Sequence, residues 1–304
     1  MNKLKLWLME VRAPFFTATL VPVLLGTAIA FNLTQSIHWF YFALTLIGAI
    51  LLHAGANVIN DYFDHLSKND DINKEFVRPF TGGSRMIQEK LLTPKEVLVG
   101  ALIFLFIGSL IGLCLTYKFG WVILAIGFIG VFSAVFYVAP GVNLVGRGIG
   151  EFLIGVNFGV LMTLGAFYTQ TGTFSWIPIV ASLPVGLLIS AVLYINEFPD
   201  AKADEAVGKN HLIVRFGKEK AVKGYIVLVL LTYFTVVLSV VTDALPPISL
   251  IALLTFPLAL KSIKVVQQYY DNTIKLVPAN ASTIMNHLFT GILLILSFFL
   301  DHII

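Results

Sequence analysis

Two groups of asparagine and aspartate carry the most pointed chemistry in this chain: Asn57, Asn60, Asp61, Asp64, Asp70 and Asp71, then Asn196, Asp200 and Asp204. Residues three and four apart share a helix face, so Asn57, Asp61 and Asp64 point one way, and Asp200 and Asp204 lie one turn apart. Carboxylates held that close repel one another unless a cation lies between them. Hard divalent ions such as Mg²⁺ take oxygen ligands of this kind, commonly together with substrate phosphates. Two such clusters facing each other would grip one diphosphate through bridging metals. A single aspartate at a membrane boundary is often only a solvated helix end. Repetition of the pattern at a second helix end, in a chain with 17 acidic residues, favours the metal reading.

Basic residues stand on the same stretches: Lys68, Lys74, Arg78, Arg85, Lys209 and Arg215. Arginine meets phosphate oxygens as a bidentate fork and lysine as a point charge. Thr81-Gly82-Gly83-Ser84-Arg85 would let backbone amides approach an anion. Asn157, Asn286 and His287 are polar groups within apolar runs, where such residues mostly tie helices together; Asn157 is deep enough to line a pocket. His53 has no second histidine at ligand spacing and reads as a packing or hydrogen-bonding residue. Phe128, Phe132, Phe136, Phe152, Phe158 and Tyr168 read as packing or lipid contacts, with a few able to shield a carbocation through their ring faces.

The elements that must position these groups are membrane helices. The chain is 58% hydrophobic and 12% charged, whereas a soluble domain carries roughly a quarter charged residues. The fold class is therefore all-α, a polytopic helical bundle in the lipid bilayer. Apolar runs long enough to cross it, about 20 residues each, fall near 14–33, 38–59, 96–117, 119–138, 150–169, 176–195, 220–241, 245–262 and 281–300. The eighth is the weakest, because Pro246, Pro247 and Pro257 crowd it. Nine spans with a cytoplasmic N-terminus put Lys3, Lys5, Arg12, Arg147 and the basic residues of the 60–95 and 196–220 loops on the inner face, leaving Lys118 alone outside. Both acidic clusters then sit at inner helix ends, four spans apart, an arrangement that suggests an internal pseudo-repeat. Lys3 and Lys5 before an apolar run look like a signal peptide, but the run from Pro14 is long and Arg12 abuts it, so it reads as a retained span. The lone Cys114 excludes an intrachain disulfide and cysteine-based metal or redox chemistry. A net charge of +3, already accounted for by topology, gives no argument for nucleic acid. With no linker or low-complexity tract, residues 1–304 read as one domain whose two long inner loops cap the site.

These residues resemble the UbiA superfamily of intramembrane prenyltransferases. Asn60-Asp61-Tyr62-Phe63-Asp64 is similar to its first aspartate-rich motif and Asp200-Ala201-Lys202-Ala203-Asp204 to its second. The likeness extends through Arg12-Ala13-Pro14, Arg78-Pro79, Gly82-Gly83-Ser84, Leu92-Thr93-Pro94, Tyr137 with Arg147, Gly150 and Glu151, Gly208-Lys209-Asn210-His211-Leu212 and Val214-Arg215-Phe216-Gly217. Asp70, six residues after Asp64, and the Gly208–Gly217 stretch are similar to the 1,4-dihydroxy-2-naphthoate polyprenyltransferases of menaquinone synthesis. One departure stands out: the second motif of that branch often has Arg before its first Asp, where this chain has Pro199. Proline disfavours helix at the residue before it, so Asn196 is expected to offer its oxygen from an unwound turn.

The resemblance implies Mg²⁺-dependent transfer of a polyprenyl group from a prenyl diphosphate to an aromatic acceptor in the cell membrane, at a cytoplasmic-side site. It implies Asp61, Asp64, Asp200 and Asp204 as the catalytic carboxylates, which with Asn57, Asn60, Asp70 and Asn196 hold metal. Lys68, Arg78, Arg85, Arg147, Lys209 and Arg215 would meet the diphosphate, and Tyr137 and Asn157 the acceptor or tail. Geranylgeranylglyceryl phosphate and 4-hydroxybenzoate prenyltransferases use the same kind of metal site, so the acceptor stays open at this point. An ion or solute transporter is the rival from another class. Transporters bind charge near the bilayer midplane, whereas these clusters lie at helix ends.

Overall fold

A computed structural model describes residues 2–301; positions 1 and 302–304, at the ends of the expected domain, lie outside them. The described residues form helices and no strand. A short α1 (Lys3–Glu10) leads into α2 (Ala13–Thr34) and α3 (Trp39–Ser67). After α4 (Asn69–Ile72) and an irregular stretch come α5 (Pro94–Phe119), α6 (Trp121–Phe136), α7 (Gly150–Thr171) and α8 (Ile177–Ala206). A short α9 (Leu212–Phe216) precedes α10 (Lys218–Val241), α11 (Pro247–Tyr269) and α12 (Thr273–Asp301).

Eight of these helices are long and apolar enough to cross a membrane. The fourth expected span is shorter than its apolar run: α6 covers 16 residues, a rise of about 24 Å against a hydrocarbon core of about 30 Å. Gly120, at φ +83°, ends α5 and starts α6, and beyond Phe136 the chain turns irregular, so both limits are set by backbone rather than by hydropathy. The weak eighth run does form a long helix, α11, whose first nine residues take the tighter 3₁₀ winding after Pro246.

Lipid-facing positions are legible on α5, where Leu102, Ile103, Phe106, Leu110 and Leu113 are all exposed on the outside of the bundle. Inside, Tyr194, Ile195 and Phe198 of α8 pack with Tyr225 of α10 and Leu276 of α12. Leu25 of α2, Phe167 of α7, Val185 of α8 and Leu294 of α12 form a second core. Hydroxyls and amides tie helices across the apolar interior: Tyr233 donates to Asn286 Oδ1 (2.8 Å), Tyr225 pairs with Thr283 (2.6 Å), and Thr19 with His53 (2.8 Å). Glycine lets α7 and α8 touch backbone to backbone. A Cβ on Gly159 would lie 2.5 Å from Gly186 Cα, so a side chain at position 159 would force the two helices apart. That contact fixes how Glu151 and the α8 carboxylates face one another.

The expected break before Pro199 is absent. Helix α8 runs unbroken from Ile177 to Ala206, with Pro184 and Pro199 both inside it. A proline removes a single helix hydrogen bond, and neighbouring helices compensate where the flanking residues are packed. Here Phe198, Ala201 and Ala203 are all buried. Asn196 consequently stays in helical register with Asp200 and Asp204.

Candidate active site

The last turns of α3 present Asn57, Asn60, Asp61 and Asp64. Lys68 then takes the left-handed conformation (φ +61°) that reverses the chain into α4. This reversal brings Asn69, Asp70 and Asn73 back toward the end of α8. Asn69 donates to Asp204 Oδ1 (2.8 Å) and Asn73 to Asp200 Oδ1 (2.7 Å), so the first loop reaches directly onto the second cluster. Helix α8 supplies Asn196, Asp200 and Asp204 from its final turns. The two acidic clusters face each other across one cleft of about 230 Å³.

A backbone strap closes over them. Gly82 N–H lies 3.4 Å from Asp200 Oδ2, and Ser84 N–H donates to Asp61 Oδ2 at 3.2 Å. Gly83 between them has φ +70°, and a Cβ there would stand 3.2 Å from both Asp61 Oδ1 and Asp70 Oδ2. Both the conformation and the close approach call for glycine.

Two cations enter the cleft. Arg12 is ion-paired with Asp61, and Lys209 with Asp64 while lying 3.9 Å from Asp204. Burial pulls both side chains toward the neutral form, but the surrounding carboxylates, Asp61 for Arg12 and Asp64 for Lys209, outweigh it and hold each proton more tightly than usual. Burial, with the charges of Asp64 and Asp61 beside it, lifts the Asp70 carboxyl to about 8. Glu10 at the end of α1 accepts from Ser84 Oγ and is pushed up to about 8 by burial and by Asp61. Acid outnumbers base in this cleft.

Several expected cations are engaged elsewhere. Lys68 is an exposed helix cap. Arg78 pairs with Glu89, and Arg85 lies 4.1 Å over the Phe76 ring. Arg147 donates to Val142 O (2.7 Å), and Arg215 to Asn210 O (2.6 Å) and Gly146 O (3.0 Å). None of these five lines the cleft, whereas Arg12 and Lys209 do. Asn196 lines it and accepts from Asn280 (2.7 Å).

A second, apolar cavity of about 300 Å³ runs from the cleft between α3, α5, α6 and α7, past Leu52, Ile111, Ile126 and Met162. Arg12, Asn57, Asn60, Tyr137 and Phe158 line both spaces and mark the junction. Asn157 lies in the apolar cavity on a stretch of wider π-helix, Val156–Leu161, and donates to Ser133 (3.1 Å). Such a bulge inside an α-helix often accompanies a functional site.

Residues that the sequence pattern did not single out as ligands complete the site: Arg12, Asn69, Asn73, Glu10, Glu197 and His211. Arg12 carried one signal, a charge directly against the first apolar run. The two asparagines carried none, because their partners lie 135 and 127 positions away.

The UbiA prenyltransferase family matches residues 19–290 of this chain. A 1,4-dihydroxy-2-naphthoate octaprenyltransferase of Mycobacterium tuberculosis is 30% identical over 84% of each chain. A 2-carboxy-1,4-naphthoquinone phytyltransferase of Synechocystis is 28% identical over 95% of this chain and 92% of its own length. A UbiA homolog from Archaeoglobus fulgidus, solved with DMAPP and Mg²⁺, superimposes with a TM-score of 0.63 at 16% identity, covering 95% of this chain and 98% of that one. The chain belongs to the UbiA prenyltransferase family and is a multi-pass membrane prenyltransferase.

Proposed function

We propose that this enzyme transfers a polyprenyl group from a prenyl diphosphate to 1,4-dihydroxy-2-naphthoate, with Mg²⁺, as a step of menaquinone biosynthesis. The observation that carries the reading is the junction: a polar cleft rimmed by carboxylates opens directly into an apolar cavity between membrane helices. A molecule with a charged head and an isoprenoid tail fits such a pair of spaces. The naphthoate acceptor is favoured by the names of the relatives, among them the M. tuberculosis and Synechocystis enzymes.

The donor set fits Mg²⁺. It is made of oxygens, and among the described residues Asn60 Oδ1, Asn69 Oδ1 and Asp70 Oδ2 are buried without a hydrogen-bond partner. Asp61, Asp64, Asp200 and Asp204, with Asn57, Asn60, Asp70 and Asn196, are the residues that would hold it. Bound there, Mg²⁺ supplies positive charge that makes the diphosphate a better leaving group.

The protein's own groups do the remainder. Lys209 and Arg12 are the cations placed to turn from their carboxylates onto diphosphate oxygens. Lys68, Arg78, Arg85, Arg147 and Arg215 contribute positive charge around the cleft rather than inside it. At the junction, Tyr137 and Phe158 are the aromatic residues near enough to shield the allylic cation, and the apolar cavity would keep water from it. Asn157 sits deeper, where it contacts the tail or the acceptor.

The fold is read as nine spans with the N-terminus and the cleft on the cytoplasmic side. Residues 1–304 form one domain, its 60–95 and 196–220 loops capping the site. An acceptor panel with one fixed prenyl diphosphate tests the assignment. Prenylated naphthoate is the expected product; product with geranylgeranylglyceryl phosphate or 4-hydroxybenzoate, and none with the naphthoate, overturns it.

A further inference from the structure

We propose that Glu151, Glu197 and His211 form a second cation site, distinct from the aspartate clamp, that takes one zinc-like divalent ion. Glu151 comes from the first turn of α7, Glu197 from α8, and His211 from the residue before α9. All three are more than nine-tenths buried, and one ligand atom of each lies within 4.8 Å of the others.

The hydrogen bonds around the three side chains turn lone pairs toward one another. His211 Nε2 meets Asp204 Oδ2 at 3.2 Å, so the ring proton sits on that nitrogen and Nδ1 is left with a lone pair. Nδ1 faces Glu197 Oε2 at 3.6 Å, and neither atom meets a donor among the described residues, while the Glu197 carboxyl also lies within hydrogen-bond reach of the Glu151 carboxyl. That separation is too long for a hydrogen bond. It suits a shared ion, because two ligands about 2.1 Å from one tetrahedral metal lie roughly 3.4 Å apart. Glu151 Oε1 accepts the amide of Leu212 at 2.8 Å, which leaves its Oε2 buried and also without a partner.

A carboxylate behind the imidazole and an amide behind the carboxylate are the outer contacts that orient metal ligands. One nitrogen with two carboxylate oxygens suits Zn²⁺ or Mn²⁺ better than Mg²⁺, which prefers an all-oxygen shell. Glu197 and His211 both line the cleft, which gives an ion a route to the three side chains. An ion there would pin the Gly208–Leu212 stretch to α7 and α8. Lys209, which reaches Asp64, stands on that stretch. The site is independent of the prenyl-transfer reading, since it needs neither diphosphate nor acceptor.

Cobalt provides the test, because tetrahedral nitrogen and oxygen coordination gives Co²⁺ an intense visible absorption that octahedral oxygen sites lack. Purified, chelator-treated protein is titrated with Co²⁺ as wild type, His211→Gln, Glu197→Gln and Asp61→Asn. The expected result is an intense band saturating at one equivalent in wild type and retained in Asp61→Asn. His211→Gln and Glu197→Gln should each weaken that binding more than about tenfold. Absence of the band in wild type, or an unchanged band in His211→Gln, overturns the site and leaves Glu151 and Glu197 as a carboxyl pair sharing a proton. A missing wild-type band overturns the site even where a variant fails to fold.

Discussion

The two acidic clusters are compensated by opposite means. In the first, full charges predominate, Arg12 paired with Asp61 and Lys209 with Asp64, beside the Ser84 amide on Asp61. In the second, neutral or partial donors predominate: Asn73 and the Gly82 amide serve Asp200, while Asn69 and His211 serve Asp204. A buried carboxylate held by amides keeps free lone pairs and its orientation. One paired with a fixed cation carries that positive charge against an incoming metal ion until the cation turns away. On the proposed metal-binding role, the second cluster is the preformed half of the clamp, and the first is the half that must exchange partners.

Deleting single members separates the two halves most sharply. Asp204→Ala should lower transfer by roughly 10³-fold, the scale for removing a preorganised electrostatic contact, while the protein still melts cooperatively. Asp61→Ala should match that loss and also destabilise by about 2 kcal/mol, because the partly buried Arg12 loses its nearest counter-charge and keeps only the more distant Asp64 and Asp70. Prenyl transfer and thermal melting of detergent-extracted protein check both; unchanged activity in either variant breaks the clamp. A smaller effect distinguishes the two cations. Lys209 lies between the clusters, so Lys209→Met should cost about 10²-fold in transfer and Arg12→Met several-fold less. The reverse order in steady-state rates would make Arg12 the principal diphosphate contact.

The smallest effect is a pH dependence of stability on the side of the first cluster. Glu10 has its pKa raised from an ordinary 4.5 to about 8 by burial and by Asp61. The folded protein therefore holds a proton there that the unfolded chain releases earlier. The stabilisation is complete below about pH 4.5 and declines as pH rises through 8. Metal-free protein should melt at progressively lower temperature across that window, and Glu10→Gln should lessen the slope, with Asp70, also raised to about 8, supplying part of what remains. An equal slope in Glu10→Gln would move the effect to other carboxyls.

Much of this was legible in the sequence where the signal is local. Helix ends bearing Asp61, Asp64, Asp200 and Asp204 follow from where apolar runs stop and from the spacing of i and i+4 positions. The long helices follow from hydropathy alone. The differences arise where long-range packing decides. Pro199 argues locally for a break, yet the buried neighbours on α8 keep that helix whole. Arg78, Arg147 and Arg215 look like anion ligands by type, but nearby carbonyl oxygens and Glu89 occupy them. Glu151, Glu197 and His211 are separated by 46 and 14 positions, and no periodicity in the chain foretells that they meet.

The left-handed turn at Lys68 has a mechanical consequence. Asp200 and Asp204 ride on a single 30-residue rod, so any tilt of that helix moves both carboxylates together. Asp61 and Asp64 end one rod, but Asp70 stands beyond the turn at Lys68, on a four-residue helix whose flanking Asn69 and Asn73 contacts fasten it to Asp204 and Asp200 of the other rod. The proposed clamp has one jaw on a single rod and one in two pieces, the second piece fastened to the opposite rod. A tilt of α8 would carry Asp70 with it through those two amides and leave Asp61 and Asp64 where they are.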